Sequence, residues 1–374
     1  ADGVITTNHL NSAMISSQTE VTANSSDYVL IGDSSDSNAL KKTLVSNFYE
    51  EAPAFTGNVT VGGTLGVTGD LFSATAGASN FRAGVNAGNS IASGGNYNVA
   101  IGDDAGTALT TGDNNAFVGF QAGDATTTGG NNTALGRDAL GSNTTASNNT
   151  AVGMDALAAN TTGFSNVAVG KSSMAANTTG YENVAIGYAA LDANTTGVDN
   201  TAVGKSSLGS NTTASSNTAV GRSALFASTT GANNTALGKS ALQANTTGGQ
   251  NTALGTNTLT ANTTGTSNVA IGKDALAAST TAASNVAIGL DALTTNVTGA
   301  YNVAIGTDAL TVSLADNNVA LGYQALKANT TGGANIAIGK ALGANTTANN
   351  NIGIGYAALN ANTTGASNVA IGRD

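Results

Sequence analysis

The chain has 374 residues, 49 of them Gly, with one Pro, no Cys, no Trp and 4% aromatic residues. That composition excludes an aromatic-rich globular core, a Pro-rich disordered chain and any fold held by disulfides or thiolate metal sites. A formal charge of −10 set against only 12 Lys and Arg argues against nucleic acid as a partner, because that affinity rests largely on cationic side chains.

Residues 1–56 stand apart in composition. They hold His9, the single His, together with Pro53, the Lys41-Lys42 pair and Glu50-Glu51. Residues 27–33 read as a strand, and residues 39–49 as a second strand leading into a short helix. The segment is expected to be a small N-terminal attachment module. Residues 57–98 follow, in which 57–70 alternate in the manner of extended strands wound around partner chains and 71–98 form an irregular lead-in. No stretch approaches the roughly 20 apolar residues that span a bilayer, and the first residues lack the basic and apolar regions of a secretion signal. Membrane insertion is therefore not expected. The start at Ala1 fits loss of an initiator Met before a small residue, and equally a cleaved leader.

Residues 99–374 are a repeat. Seventeen pentapeptides close on a glycine from Gly102 to Gly372, every spacing being 17 residues except Gly306 to Gly322 and Gly339 to Gly355, which are 16. So short and regular a period predicts one supersecondary unit stacked on itself. In the coil from Gly153 to Gly170 the Val167-Ala168-Val169 run suits a strand, and Asn160-Thr161-Thr162-Gly163 carries turn chemistry. The fold class expected is all-β, a parallel β-solenoid of 17-residue coils with about two short strands and two turns in each.

The columns predict side-chain directions. Val, Ile or Leu always precedes the glycine and is expected to fill the interior, opposed by the Leu four residues after it, as at Leu140, Leu157 and Leu191. The strand's central residue, Ala in fifteen of seventeen copies, is then expected to face outward. Two large side chains per coil recover about 1.5–3 kcal/mol each, against about 1–2 kcal/mol for each ordered backbone unit, so a lone coil cannot stand. An outward stripe through Ala151, Ala168, Ala185 and Ala202 is read as the contact between copies, most simply in a homotrimer. The Asn four residues before each glycine, including Asn149, Asn166, Asn183 and Asn200, is read as an amide ladder joining adjacent coils.

The Asn-Val-Ala-(Val/Ile)-Gly units at 166–170, 183–187 and 268–272 resemble the head repeats of trimeric autotransporter adhesins, which are trimers of left-handed parallel β-rolls. The longer unit, Asn-Thr-Ala-Val-Gly-x-x-Ala-Leu-x-Ala-Asn-Thr-Thr-Gly, is still more similar to repeat arrays in phage tail fibres. The resemblance implies a homotrimeric virion fibre, docked to a tail or baseplate protein through the N-terminal module and projecting toward a glycan or protein of the host surface. A bacterial adhesin or extracellular filament is the alternative, and an ice-binding solenoid with stacked Thr a weaker one. Since the sequence ends two residues past a repeat glycine, further sequence is expected beyond the last coil.

No constellation for catalysis is visible, nor any cofactor motif: the carboxylates recur with the repeat rather than converging on a pocket. The Asp274, Asp291 and Asp308 column could attract a cation, but Lys273 beside it makes a solvated face the simpler reading, and no metal is expected. Phe164 and Tyr181 occupy the same turn position on successive coils. They are the lateral receptor-binding candidates, the plainer reading being that both rings cover a turn.

Overall fold

The structure is a computed structural model that describes the strands Tyr28–Gly32 and Leu40–Leu44 and residues 77–373. The chain divides into a unit of Ala1–Asp70 and one of Leu71–Asp374. In the first, β1 (Tyr28–Gly32) pairs antiparallel with β2 (Leu40–Leu44), Tyr28 opposite Leu44 and Gly32 opposite Leu40. The expected helix through residues 45–49 and the connector at 57–70 lie outside the described residues.

The second unit is an all-β parallel solenoid. Three-residue strands run from β3 (Phe81–Ala83) and β4 (Val99–Ile101) to β19 (Ile352–Ile354) and β20 (Val369–Ile371), each paired in register with the next. Within the stack, β8 (Val167–Val169) sets Val167, Ala168 and Val169 opposite Val184, Ala185 and Ile186 of β9 (Val184–Ile186). The sheet is open. Each coil advances by about 4.8 Å, so the two end strands are ~80 Å apart and have no route to one another. The ladder also starts one rung before the repeat reading places it, because β3 precedes β4 by a spacing of 18 residues and carries Phe81-Arg82-Ala83 in place of Val-Ala-Ile.

Only one strand forms in each coil, against the two expected. The rest of the coil is broken by left-handed residues: in the coil from Gly153, Asp155 has φ 58°, Leu157 φ 51° and Ser165 φ 55°. Short polar side chains tolerate that conformation, but a Leu loses about 1–2 kcal/mol to it. Full burial of Leu157 recovers about 1.5–3 kcal/mol, which decides the balance. Hydrogen bonds to neighbouring coils nonetheless continue around the perimeter. Asp155 N donates to Arg137 O at 3.0 Å, Leu157 N to Ser173 O at 3.0 Å, Ala159 N to Ala175 O at 3.1 Å and Thr161 N to Thr178 O at 2.9 Å. Each coil is thus β-like in its pairing even where its backbone turns.

The structure reverses the expected direction of the strand. Ala151, Ala168, Ala185 and Ala202 are all 0% exposed within a single chain, whereas Ile186 is 41% and Leu237 45% exposed. The interior of a coil holds the strand Ala, a second Ala such as Ala156, the Leu and two Asn side chains, all buried. In so narrow a section the strand can place only a small residue inward, so the branched side chains go outside and pack along the ladder. Phe117 tests the rule. It occupies the inward Ala position at 0% exposure, and the Leu position is glycine on both flanking segments, Gly106 and Gly123. A Cβ at Gly123 would lie 2.6 Å from the Phe117 ring and one at Gly106 2.9 Å from it.

The two 16-residue coils lose different residues. Between Gly306 and Gly322 one Thr of the turn is missing, Ser313 takes the buried Asn position, and the Ala315 carbonyl replaces the turn glycine as acceptor for Asn302 Nδ2 at 2.8 Å. Between Gly339 and Gly355 the first left-handed residue is missing, and Gly339 moves to φ 87° from the values near 132° at Gly170 and Gly322. Leu342 remains fully buried.

Phe117→Ala should cost about 3–5 kcal/mol of stability by opening a cavity. Adding Gly123→Leu should recover most of that loss, because Gly123 already holds the φ of 60° that the Leu column adopts near 51°. Denaturant unfolding of the full chain measures both. Failure of the second substitution to recover stability would contradict the volume exchange.

Candidate attachment surface on the solenoid

The amides set the frame on which any surface of the solenoid is displayed. Asn166 is completely buried; its backbone N donates to Asn149 Oδ1 at 2.9 Å and its Nδ2 to the Gly180 carbonyl of the next turn at 2.9 Å. Asn183 N in turn donates to Asn166 Oδ1 at 3.1 Å, and Asn200 N to Asn183 Oδ1 at 3.0 Å. A second file runs through the Asn-Thr-Thr turns, where Asn177 Nδ2 donates to Asn160 Oδ1 at 2.8 Å and to the Gly180 carbonyl at 3.0 Å. These side chains are saturated within the chain. They hold the corners in place and offer nothing to a ligand.

Ala151, Ala168, Ala185 and Ala202 cannot meet a neighbouring chain, because their side chains are inside the coil. The surface that the sheet presents instead is a file of Val, Ile or Leu on one side of them and of Val, Ile, Thr or Ala on the other. Val152, Val169 and Val203 are half-exposed and Ile186 is exposed, with Val167, Val184 and Thr201 beside them. The sequence did carry a signal for this arrangement. Within the 17-residue repeats from Gly102 onward, the opposing Leu gives way to glycine on the two segments that face the lone Phe of the Ala column.

Phe164 and Tyr181 are brought together. Their rings stack at 4.7 Å between centroids and 6° between planes, and they are 41% and 36% exposed. That separation equals the coil advance of about 4.8 Å, so the rings lie one above the other along the stack and each covers a face of the other. A sugar ring would find only the outer face of each. The turn Thr column is divided: Thr162 is exposed, whereas Thr161 Oγ1 donates to the Thr178 carbonyl at 3.0 Å. Only one hydroxyl file faces water, which makes a poor template for ice.

Two members of the acidic column, Asp274 and Asp308, are held by cations of the chain itself. Lys273 Nζ lies 2.9 Å from Asp274 Oδ2, and Lys327 Nζ 2.8 Å from Asp308 Oδ2. The lysine hydrogen bond is the largest cause holding each of these carboxyls below the ordinary range. Among the described residues no three His, Cys, Asp or Glu side chains are grouped as a metal site, and no helix is long and apolar enough to cross a membrane. His9 lies outside the described residues.

Two carboxylates behave differently. Asp124 and Asp192 share one position, five residues past the glycine, each followed in the next coil by a glycine, Gly141 or Gly209. Burial is the main cause raising both above the usual carboxylate range. A raised folded-state value means that ionisation opposes folding: the favourable contribution is present below the unfolded-state value and is lost as pH rises through the folded-state one. Asp192→Asn should therefore raise the melting temperature at pH 7 and change it little at pH 3. An equal shift at both pH values would show that the charge is not responsible.

Asn166→Ala should strand one buried backbone group, the Asn183 N–H, at about 1–3 kcal/mol, while the Gly180 carbonyl keeps Asn177 Nδ2 as its donor. Thr162→Ala, on the exposed file, should stay within about 0.5 kcal/mol. Denaturant titration of the two variants against the parent chain measures the contrast, and equal losses would remove the ladder from the account of stability.

Comparison of the chain with protein-family models, with curated proteins and with solved structures finds no match, so the architecture rests on its own geometry.

Proposed function

We propose that the chain is a structural fibre of a virus tail, non-enzymatic, that projects from the virion and contributes to attachment at the host surface. The observation that carries this reading is the uninterrupted stack of in-register coils, whose buried amides are spent mostly in holding the stack and whose outer sheet face carries a file of Val, Ile or Leu from Ile101 to Ile371. Such a body is suited to spanning distance and presenting surface. Filamentous and adhesive roles share that requirement, and the resemblance of the repeat to tail-fibre arrays selects the viral one. In this reading the N-terminal unit docks to a tail or baseplate protein, and the host partner is a surface glycan or protein.

The fibre is proposed to be a homotrimer that meets through the Val, Ile and Leu face and not through the Ala column. A face three residues wide and eighteen strands long covers about 10 by 80 Å, or ~800 Å² per chain, the size that a stable protein interface buries on each partner. An apolar file running the length of such a face is seldom left in water. Three copies close around an axis with each face covered, as the resemblance implies.

Replacing Val169, Ile186 and Val203 with Lys puts three like charges on that face without entering the coil interior. Sedimentation of the parent should give a trimer and that of the variant a folded monomer; a trimeric variant would refute this placement of the interface. Antibody raised against the chain should label tail fibres on intact virions of the phage that encodes it. Labelling of a bacterial surface in the absence of phage would transfer the function to a cellular adhesin.

A further inference from the structure

The chain is acidic, yet its cations are not scattered. Eight of the 12 Lys and Arg residues fall at a single position of the repeat, the residue that follows the glycine. Four of them, Lys171, Lys205, Arg222 and Lys239, lie within five successive coils, and Tyr188 fills the same position on the remaining coil. All five are exposed. Lys205 Nζ sits 5.5 Å from the centroid of the Tyr188 ring, so the aromatic face and the cations form one continuous line. With an advance of about 4.8 Å per coil that line is ~20 Å long.

What separates this stretch from Arg137 and Lys273 is the residue next to each cation. At those two coils an Asp follows the cation and neutralises it: Arg137 lies 3.4 Å from Asp138 and 3.5 Å from Asp155, and Lys273 2.9 Å from Asp274. Lys340, followed by Ala341, stands alone on its stretch of the stack, 6.0 Å from the Tyr323 ring. On the coils of Lys171, Lys205, Arg222 and Lys239 that neighbour is Ser172, Ser206, Ser223 or Ser240. None of the four cations makes an ion pair among the described residues, although the chain carries 22 acidic residues. Like charges stacked about 4.8 Å apart repel each other, and a repeat that places Asp beside cations at other coils leaves these uncompensated. The line begins beyond the glycine that turns the chain off the sheet, so it stays open to solvent at the rim of the proposed interface.

We propose that the strip formed by Lys171, Tyr188, Lys205, Arg222 and Lys239 is a lateral binding site for an acidic polysaccharide, whose carboxylate or sulfate groups pair with the four cations while one sugar ring lies on Tyr188. This rests on the reading of the solenoid as an attachment fibre and names the chemistry of its surface partner. A single file of charges suits one extended, regularly charged chain. The width of a nucleic acid duplex and the chain's net charge of −10 both work against that other polyanion.

The test uses the full-length fibre and three immobilised probes: heparin, alginate and neutral dextran. The parent should bind heparin or alginate in a salt-sensitive manner and leave dextran unbound. The triple substitution Lys205→Gln, Arg222→Gln, Lys239→Gln should weaken binding by about tenfold or more, whereas Arg137→Gln, Lys273→Gln, Lys327→Gln, an equal change of charge at cations already paired, should change it less than about twofold. Tyr188→Ser should weaken binding to the polysaccharide and leave binding to inorganic polyphosphate, which has no sugar ring, unchanged. No binding by the parent, equal losses in the two triples, or tighter binding of a single-stranded oligonucleotide than of either polysaccharide would overturn the proposal. Host-cell adsorption separates the two readings. Undiminished adsorption by the strip triple would refute the strip and leave the attachment fibre standing, whereas polysaccharide binding lost in the strip triple would support the strip even where the parent adsorbs to no cell.

Discussion

Each coil of this protein is too thin to exist alone. Its interior is about one side chain deep, with room for two Ala, one Leu and two Asn, and the apolar area it closes off cannot offset the ordering of 17 backbone units. Everything else follows from the need for a neighbour above and below. Backbone donors point along the stack even in the turns, as when Thr161 N reaches Thr178 O, and the strand of three residues is only the flattest part of a coil that pairs nearly all the way around.

The same constraint accounts for the polar content of the core. A buried Asn is ordinarily a liability, but the first amide file repeats Asn at the same height in every coil and the second in most of them, with Ser228, Ser279 and Ser313 among its exceptions. Apart from Asn211 Oδ1, Asn262 Oδ1 and Asn351 Nδ2, the buried amide atoms find partners one coil away or in the adjoining turn. The ladder also fixes register, since a shift by one residue would set an amide against an Ala or a Val. Departures are absorbed where they disturb the files least: Ser313 keeps a hydroxyl within 3.4 Å of Asn329 Nδ2, and the coil that loses a residue after Gly339 keeps Leu342 inside.

Because the interior is closed to ligands, function has only the outside to work with, and the outside is organised in lines. A position repeated every 17 residues becomes a file along the stack, so one kind of side chain at one position makes a strip of that chemistry. The apolar file on the sheet face, the Thr file on one turn and the cations past the glycine are three such strips. Their lengths are set by how many successive coils keep the residue.

The sequence by itself determined the repeat, its period, the parallel solenoid, the Asn files and the inward Leu, because each is a matter of spacing and of residue types that repeat. It also located the two short coils. The inside and outside of the strand were decided only by the tertiary structure. Period-2 alternation says that Ala168 and Val169 face opposite ways but not which faces in, and the rule that larger apolar residues go inside selects the wrong one here. The cross-section overrules it, since opposite an inward Leu and two amides there is volume for a methyl group and no more. Phe117, with glycine on both facing positions, was the one place where the sequence recorded that limit. The second strand failed for a related reason: Leu157 enters the interior only with a left-handed backbone, and the chain accepts that conformation because the buried side chain is worth more than the strain.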